Sequence, residues 1–518
     1  MKRLFCFFSL LVSAFAQAQT SPLYTHLPVG KYPVGFKIVT FTDESRVIKP
    51  EFNYLGEKNE GDRYKKVTIH LWYPAKAHTG KNTLTYGDYC YNDLLTSSSE
   101  VIPPDRKNNK LTGSKSSVER WFGKPTEEAW KQLIDTPMLA QMEATPVNNK
   151  FPLLIGTLRP LSTSITNEVL ASNGYVVAMV KDSDADSFAE GALSDIPDMQ
   201  QAIAYLVKNT SADAAKIGVF GFSGSGFSPV LFSMNDSRIK AVADIESGIY
   251  MEGLFQNFSA SNFYNPRKLR IPFLHIFSRD LSKQEKYIDE FEKKTAFSKR
   301  YRLLLNQPKL HHWDFAAEGY TSCLVLKNRG EAQRLIQQSF ELANLYLLHF
   351  FNAELKGEGQ SQAFLATKTA LPTVQSNLWD ITLLTPVKPA PTLTELEYII
   401  GKKGIQEALN IANATLKNDS ASNLYVGYMV NGLGYSFLHK HQYEEAIGIF
   451  KLNTELHPED PNFFDSLAEG YEGKGDTENV KRVSNLVLAL LLKKTTLNDS
   501  EKALKENAEK RLNRKTGQ

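Results

Sequence analysis

The sequence has few cysteines and no excess of charge of either sign. Three cysteines occur in 518 residues, and they do not form the closely spaced pairs that a thiolate zinc site needs. An oxidising compartment would permit one disulfide, between Cys90 and Cys323. Sixty lysines and arginines against 57 acidic residues leave a net charge of +3, without the basic patch that nucleic-acid binding requires. These absences argue against a zinc-thiolate protein and against a nucleic-acid-binding protein.

The sequence also lacks an apolar run long enough to span a membrane. One short apolar run lies at the start of the chain. Lys2-Arg3 precedes the apolar run from Leu4 to Val12, and two small-x-small sites follow between Ala14 and Ala18. The run is shorter than the ~20 residues of a membrane-spanning helix, whereas its flanks are typical of a secretory signal. Residues 1–19 are therefore predicted to be a signal peptide, which predicts a periplasmic or secreted protein that does not span a membrane.

The region from residue 20 to residue 384 alternates short apolar runs with segments of helical periodicity. Runs that are apolar at every position indicate a parallel sheet covered by helices on both faces, so the predicted class is α/β, with a doubly wound, mostly parallel sheet. Residues 87–150 are polar and rich in Ser, Pro and Asn pairs, which predicts an insertion or lid outside that sheet. The main apolar runs are Phe151–Ile155, Tyr175–Val180, Ile217–Phe222, Ile239–Ile245 and Ile271–Phe277.

The last part of the chain has a different character. Residues 385–394 are rich in proline and predict a stiff linker. Residues 395–495 show helical periodicity, and the stretches that begin near Gly427 and Pro461 are similar to tetratricopeptide repeats, which recur about every 34 residues. An unrelated helical bundle is the alternative interpretation. Residues 496–518 form a charged tail, which predicts a solvated terminal helix.

The sharpest local pattern lies directly after an apolar strand and reads Gly221-Phe-Ser-Gly-Ser225. A nucleophile elbow is a sharp strand-to-helix turn that exposes a serine, and it needs small residues two before and two after that serine. Gly221 and Ser225 meet this condition for Ser223, which becomes the candidate nucleophile, with the N–H of Gly224 as a candidate oxyanion-hole donor. Ser225 is the less favoured nucleophile, and a Gly/Ser loop without chemistry is the alternative.

A serine nucleophile needs a base and an orienting acid further along the chain. His312 follows the apolar segment Tyr301–Leu305 and is preferred as the base to His311. A surface pair or a metal ligand is the alternative interpretation. Glu246 and Asp280 each follow a predicted strand, at the carboxyl end where parallel sheets gather their functional groups. Asp244 lies inside an apolar run and is expected to face a neighbouring loop or helix.

These residues resemble those of the platelet-activating-factor acetylhydrolase and dienelactone-hydrolase branches of the α/β-hydrolase superfamily, over about residues 28–350. The resemblance implies a serine hydrolase of carboxylic esters, in which Ser223 attacks the carbonyl and His312 acts as base. An acetylhydrolase-like arrangement selects Glu246 as the acid and a dienelactone-hydrolase-like one selects Asp280; Glu246 is preferred. The further motifs that carry the resemblance are Gly30-Lys-Tyr-Pro-Val-Gly35, Asp43-Glu-Ser-Arg46, Trp72-Tyr-Pro-Ala75, Phe151-Pro-Leu-Leu154, Leu170-Ala-Ser-Asn-Gly-Tyr-Val-Val177 and His312-Trp-Asp-Phe315.

The chain departs from this family after the first core strand. The family usually has a His-Gly pair there, which supplies an oxyanion-hole amide, whereas this sequence reads Gly156-Thr-Leu-Arg-Pro160, with Arg159 as a candidate substitute. The leading hypothesis is a serine esterase for small-molecule or lipid esters that uses no metal or cofactor. The alternative is a catalytically inactive hydrolase-like protein that binds a protein partner through its helical repeats.

Overall fold

The computed structural model describes residues 21–514 except 78–81, 158–159, 182–187, 296–297, 327–329, 372–373, 385–389 and 417–425. The predicted signal peptide, residues 1–19, therefore lies outside the described residues, as do the first half of the predicted linker and the last four residues of the tail. The chain divides into two units, Met1–Pro386 and Val387–Gln518. Among the described helices, none combines the length and apolar character that crossing a bilayer requires.

The first unit is built on one mixed sheet, in which the described residues form eleven strands. They are β1 Val34–Val47, β2 Tyr64–Pro74, β3 Thr83–Thr85, β4 Pro137–Met142, β5 Phe151–Thr157, β6 Val176–Val180, β7 Ala212–Phe222, β8 Ile239–Ile245, β9 Phe273–Ser278, β10 Arg300–Leu305 and β11 Trp379–Leu384. Their order is β11-β10-β9-β8-β7-β5-β6-β2-β1-β4-β3. The central strands from β10 to β6 are all parallel, and β11 and β2 flank them in antiparallel orientation. The predicted mostly parallel α/β sheet is confirmed.

Helices cover both faces of this sheet. Pro160–Ser172 and Gln333–Leu355 pack in one apolar core, and Phe188–Asn209 and Phe227–Asn235 pack in the other. All five residues of β6 are buried, because a strand covered on both sides has no solvent face. The remaining helices of this unit are Tyr86–Tyr89, Pro104–Phe122, Glu127–Ile134, Leu254–Ser259, Arg279–Ser282, Glu285–Lys294, Ala317–Leu326 and Gly359–Ala366.

The segment 87–150 is not wholly outside the sheet, so that expectation was wrong in part. Its end, Pro137–Met142, is β4 and pairs with both β1 and β3. Met138 and Ala140 alternate with more exposed neighbours, and so short an edge strand has too few apolar residues to stand out in a polar region. The rest of the segment is mainly helical. Cys90 and Cys323 are both buried and are not joined, so the permitted disulfide is not formed.

A buried carboxylate joins this segment to the core. Glu168, which lies on the helix after β5, is fully buried and accepts four hydrogen bonds. The donors are the hydroxyls of Tyr24 and Tyr89 and the backbone N–H groups of Leu139 and Ala140. Because the four donors come from three separate stretches of chain, Glu168 fixes their positions relative to the sheet.

The second unit is entirely helical in its described part, as predicted. Its helices are Leu393–Lys403, Ile405–Leu416, Gly427–His439, Tyr443–Leu456, Pro461–Lys474, Thr477–Leu492 and Asp499–Asn513. A Cβ at Gly434 would lie 2.3 Å from the ring of Phe450, so a small residue lets two of these helices approach closely. The predicted terminal helix is present as Asp499–Asn513 and is mostly exposed, but it is also docked, because buried Arg511 donates to Asp465 at 2.5 Å.

Candidate active site

The turn that follows β7 holds Ser223 in an unusual backbone conformation. Ser223 begins the short 3-10 helix Ser223–Gly226, and its φ of 59° lies in the left-handed region that non-glycine residues rarely adopt. A Cβ at Gly221 would lie 2.3 Å from the carbonyl oxygen of Ser225, so only a glycine allows the chain to fold back so tightly. The turn therefore presents the Ser223 hydroxyl at the carboxyl edge of the parallel sheet.

His312 meets this hydroxyl although the two residues are 89 positions apart. Its Nε2 lies 2.7 Å from Ser223 Oγ, within hydrogen-bond distance. Burial lowers the pKa of His312 below its ordinary value of 6.5, which favours the neutral ring that a general base needs. His311 is exposed, and among the described residues no hydrogen bond joins Ser225 to His312. The geometry thus pairs the preferred serine with the preferred histidine.

The two candidate acids are placed differently, and neither is hydrogen-bonded to His312 among the described residues. Glu246 is buried directly after β8, where its carboxylate accepts from the Ser278 N–H at 2.7 Å and the Ser278 hydroxyl at 2.6 Å. Burial raises the pKa of Glu246 to about 7. Asp280 is exposed and pairs with Lys283 at 2.8 Å, which lowers the pKa of Asp280. The structure therefore brings together the serine and the histidine, but not a carboxylate.

Asp244 faces a neighbouring strand, and it also lies beside the short helix Gly248–Tyr250, so the expected loop or helix is only one of its neighbours. The register of β8 and β9 places Asp244 beside His275, and the two buried side chains share a hydrogen bond. Partners in adjacent parallel strands point to the same face of the sheet, and this register could not be read from the apolar run alone. The rings of Tyr250 and Phe277 lie 4.3 and 4.5 Å from the His275 ring.

Three aromatic residues at the site were missed by the sequence analysis. The Phe222 ring stacks on His312 with 5.0 Å between ring centroids, and Trp313 meets His312 edge to face at 5.5 Å. Trp121, from the helix Pro104–Phe122, lies 6.0 Å from Trp313. Phe222 and Trp313 could have been suspected because each is a chain neighbour of a candidate catalytic residue, whereas the contact made by Trp121 depends on the tertiary fold.

The oxyanion-hole candidates are only partly within the described residues. The N–H of Gly224 belongs to the first turn of a helix, where amides lack intrahelical acceptors. Leu158 and Arg159 lie outside the described residues, so Arg159 stays a prediction. Gly156 is required by packing, because a Cβ there would lie 2.3 Å from the carbonyl oxygen of Phe220. No group of three or more His, Cys, Asp and Glu side chains in the described part of the chain is placed to hold a metal ion.

A cavity of about 320 Å³ lies under the helix Pro104–Phe122. The helix contributes Lys110, and aromatic walls are formed by Tyr86 and Trp130. Ser162, shortly after β5, donates to Glu318 at 2.9 Å, and both residues line the cavity. The mixture of aromatic and polar lining is common in small-molecule pockets.

No protein-family model and no curated protein matches this sequence. Among solved structures, the chain is similar to a ferulic acid esterase from Streptomyces cinnamoneus, at 17% sequence identity and a TM-score of 0.44. The similarity covers 69% of this chain and 98% of that one. The α/β assignment rests on the strand order described above and not on this likeness.

Proposed function

We propose that this protein is a serine hydrolase that cleaves carboxylic esters through an acyl-enzyme on Ser223. The observation that carries the proposal is the 2.7 Å contact between Ser223 Oγ and His312 Nε2. Together with the left-handed conformation of Ser223, this contact matches the arrangement of a nucleophile and its base in α/β folds.

The reaction follows from this geometry in two halves. Ser223 Oγ attacks the ester carbonyl while its proton passes to His312 Nε2, and the oxyanion that forms accepts a hydrogen bond from the Gly224 N–H. The intermediate collapses to an acyl-enzyme as His312 gives the proton to the leaving alcohol. A water molecule, deprotonated by His312, then attacks the acyl group and releases the acid and the free serine. These steps use no metal or cofactor.

Of the two candidate acids, Glu246 is preferred to Asp280, and among the described residues neither is hydrogen-bonded to His312. Glu246 is buried at the carboxyl end of β8. The next residue, Ser247, lies against the elbow, because its Oγ is 2.6 Å from the point where a Cβ at Gly226 would lie. Asp280 is less favoured because it is exposed and neutralised by Lys283. In the role of acid, the Glu246 carboxylate would have to leave the Ser278 donors that hold it.

We further propose that the protein belongs near the acetylhydrolase and dienelactone-hydrolase branches, acts on small-molecule or lipid esters, and is periplasmic or secreted. The cavity under the helix Pro104–Phe122 is a candidate for a substrate pocket because of its aromatic and polar lining, and Ser223 and His312 are not among its lining residues. We interpret the helices of the second unit as tetratricopeptide-like repeats. Repeats of this type form extended surfaces that bind protein segments.

A fluorophosphonate probe, which reacts covalently only with an activated serine, tests the central proposal. The wild-type chain should be labelled, Ser223→Ala should lose the label, and Ser225→Ala should keep it. His312→Gln should slow labelling by about 10³-fold or more, while His311→Gln should label normally. An unlabelled but folded wild-type protein would overturn the esterase proposal and support the non-catalytic alternative. Hydrolysis of nitrophenyl esters of increasing acyl length would then define the substrate range.

A further inference from the structure

We propose that Phe222 and Trp313 are positioning residues, whose rings hold the His312 imidazole against Ser223 and so fill the orienting role that a carboxylate usually has. This inference rests on the proposed function, because it assigns the device that orients the base of that same centre. It concerns the orientation and charge of His312 and leaves the roles of Ser223 and His312 unchanged.

The three rings form a closed cluster. The planes of Phe222 and His312 are inclined by 22° with 5.0 Å between centroids, which is an offset stack. Trp313 contacts the imidazole at 79° and 5.5 Å and contacts the Phe222 ring at 68° and 6.0 Å. Each ring of the cluster therefore touches the other two, and His312 cannot rotate about its side-chain bonds without losing the stack.

The cluster has a rigid base. Phe222 is the last residue of β7, is only 1% exposed and pairs with Ile245 of β8 in the sheet register. It directly precedes Ser223, and Trp313 directly follows His312. Because the positioning rings are chain neighbours of the two reacting residues, the same backbone turns that place the serine and the histidine also place the rings.

The cluster also suits the charge that develops in the reaction. When His312 takes the serine proton it becomes a cation, and an aromatic face attracts a cation that lies over it. Such an attraction corresponds to about 3- to 30-fold in rate. The two acids do not provide the same stabilisation in this structure, since Glu246 is engaged by Ser278 and Asp280 by Lys283.

The experiment compares ring-removing and ring-keeping variants in the full-length chain. Phe222→Leu and Trp313→Leu remove a ring but keep an apolar side chain, whereas Trp313→Phe keeps a ring. Trp121→Leu removes a half-exposed ring that contacts Trp313 but makes no ring contact with His312 among the described residues, so it should lower kcat less than Trp313→Leu does. The readouts are the pH dependence of kcat/KM on a nitrophenyl ester, kcat and KM separately, and the rate of fluorophosphonate labelling. Far-UV circular dichroism checks that each variant is folded.

We expect both leucine variants to lower kcat by about 3- to 30-fold with little change in KM, and Trp313→Phe to restore most of the loss. Phe222→Leu should also move the acid limb of the profile to lower pH, because leucine keeps the apolar cover but the protonated imidazole loses the aromatic face that stabilises it. Kinetics and pH profiles equal to those of the wild type in folded leucine variants would overturn the inference while leaving the esterase proposal intact. A slow Glu246→Gln variant beside a normal Phe222→Leu variant would assign the orienting role to the acid instead.

Discussion

The buried carboxyl of Glu246 links the pH to the stability of the protein. The group is 6% exposed, and burial raises its pKa from 4.5 to about 7. The folded chain therefore binds this proton more tightly than the unfolded chain does, and the tighter binding stabilises the fold. This stabilising contribution is fully present below pH 4.5. That contribution is lost progressively as the pH rises to about 7. The separation of the two pKa values corresponds to about 3 kcal/mol in the free energy of unfolding.

The substitution Glu246→Gln removes this dependence, because glutamine stays neutral while its amide oxygen still accepts a bond from Ser278. Urea unfolding followed by circular dichroism at pH 5, 6, 7 and 8 measures the effect. The stability of the variant relative to the wild type should increase by about 2 to 3 kcal/mol between pH 5 and pH 8. Asp280→Asn is the control and should show no such increase, since Asp280 is exposed and its pKa is lowered. A constant difference between Glu246→Gln and wild type across this range would refute the reasoning.

The same ionisation separates two accounts of catalysis. If a charged Glu246 is needed to orient the base, the acid limb of kcat/KM should fall near pH 7, where this buried group loses its proton. If His312 alone sets the acid limb, kcat/KM should fall only below pH 6.5. Burial lowers the pKa of the His312 ring, so the ring stays neutral in more acidic solution. We expect the second result.

Three further substitutions test the packing that supports the site and the second unit. Glu168→Leu should lower the free energy of unfolding by about 4 kcal/mol, because four buried donors lose their acceptor at about 1 kcal/mol each. Gly221→Ala should abolish fluorophosphonate labelling, because its Cβ would lie 2.3 Å from a backbone oxygen of the elbow. Arg511→Met should destabilise the second unit by about 3 kcal/mol, since it leaves a buried aspartate uncompensated.

The first two of these substitutions have controls measured in the same way, by urea unfolding or by labelling. Glu128→Gln changes an exposed carboxylate and should be nearly neutral. Gly113→Ala places a Cβ in open space on a helix, so it should be neutral or stabilising by about 0.5 to 1 kcal/mol. Loss of less than about 1 kcal/mol in Glu168→Leu, full labelling of Gly221→Ala, or an unchanged Arg511→Met would each contradict the corresponding contact.

The elbow shows how far a local pattern can reach. Small residues at 221 and 225 predict a sharp turn that exposes Ser223, and the close approach of Gly221 to the Ser225 carbonyl is the physical reason for that pattern. The pairing with His312 was also expected, because the carboxyl ends of parallel strands converge on one edge of the sheet. The first expectation depends on a rule that acts over a few residues. The second depends on the common direction of the parallel strands.

The acids show where such rules end. Glu246 and Asp280 were equally placed by the criterion of following a strand, yet one is buried against Ser278 and the other is exposed beside Lys283. Similarly, Asp244 was expected to face a loop or helix, and the register of β8 and β9 also places it against His275, a partner that the apolar run did not predict. Hydrophobic periodicity reports only whether a position is buried, so it does not determine the strand register or the side-chain rotamers.

The alternation of apolar runs and helical segments was enough, by itself, to determine an α/β unit followed by helices, because burial on one or both faces imposes a period on the chain. Only the tertiary structure decided that residues 137–142 join the sheet edge, that the charged tail docks through Arg511, and that Phe222 covers His312. These contacts join residues far apart in the sequence. Their geometry depends on how whole elements pack, which no local stretch of sequence specifies.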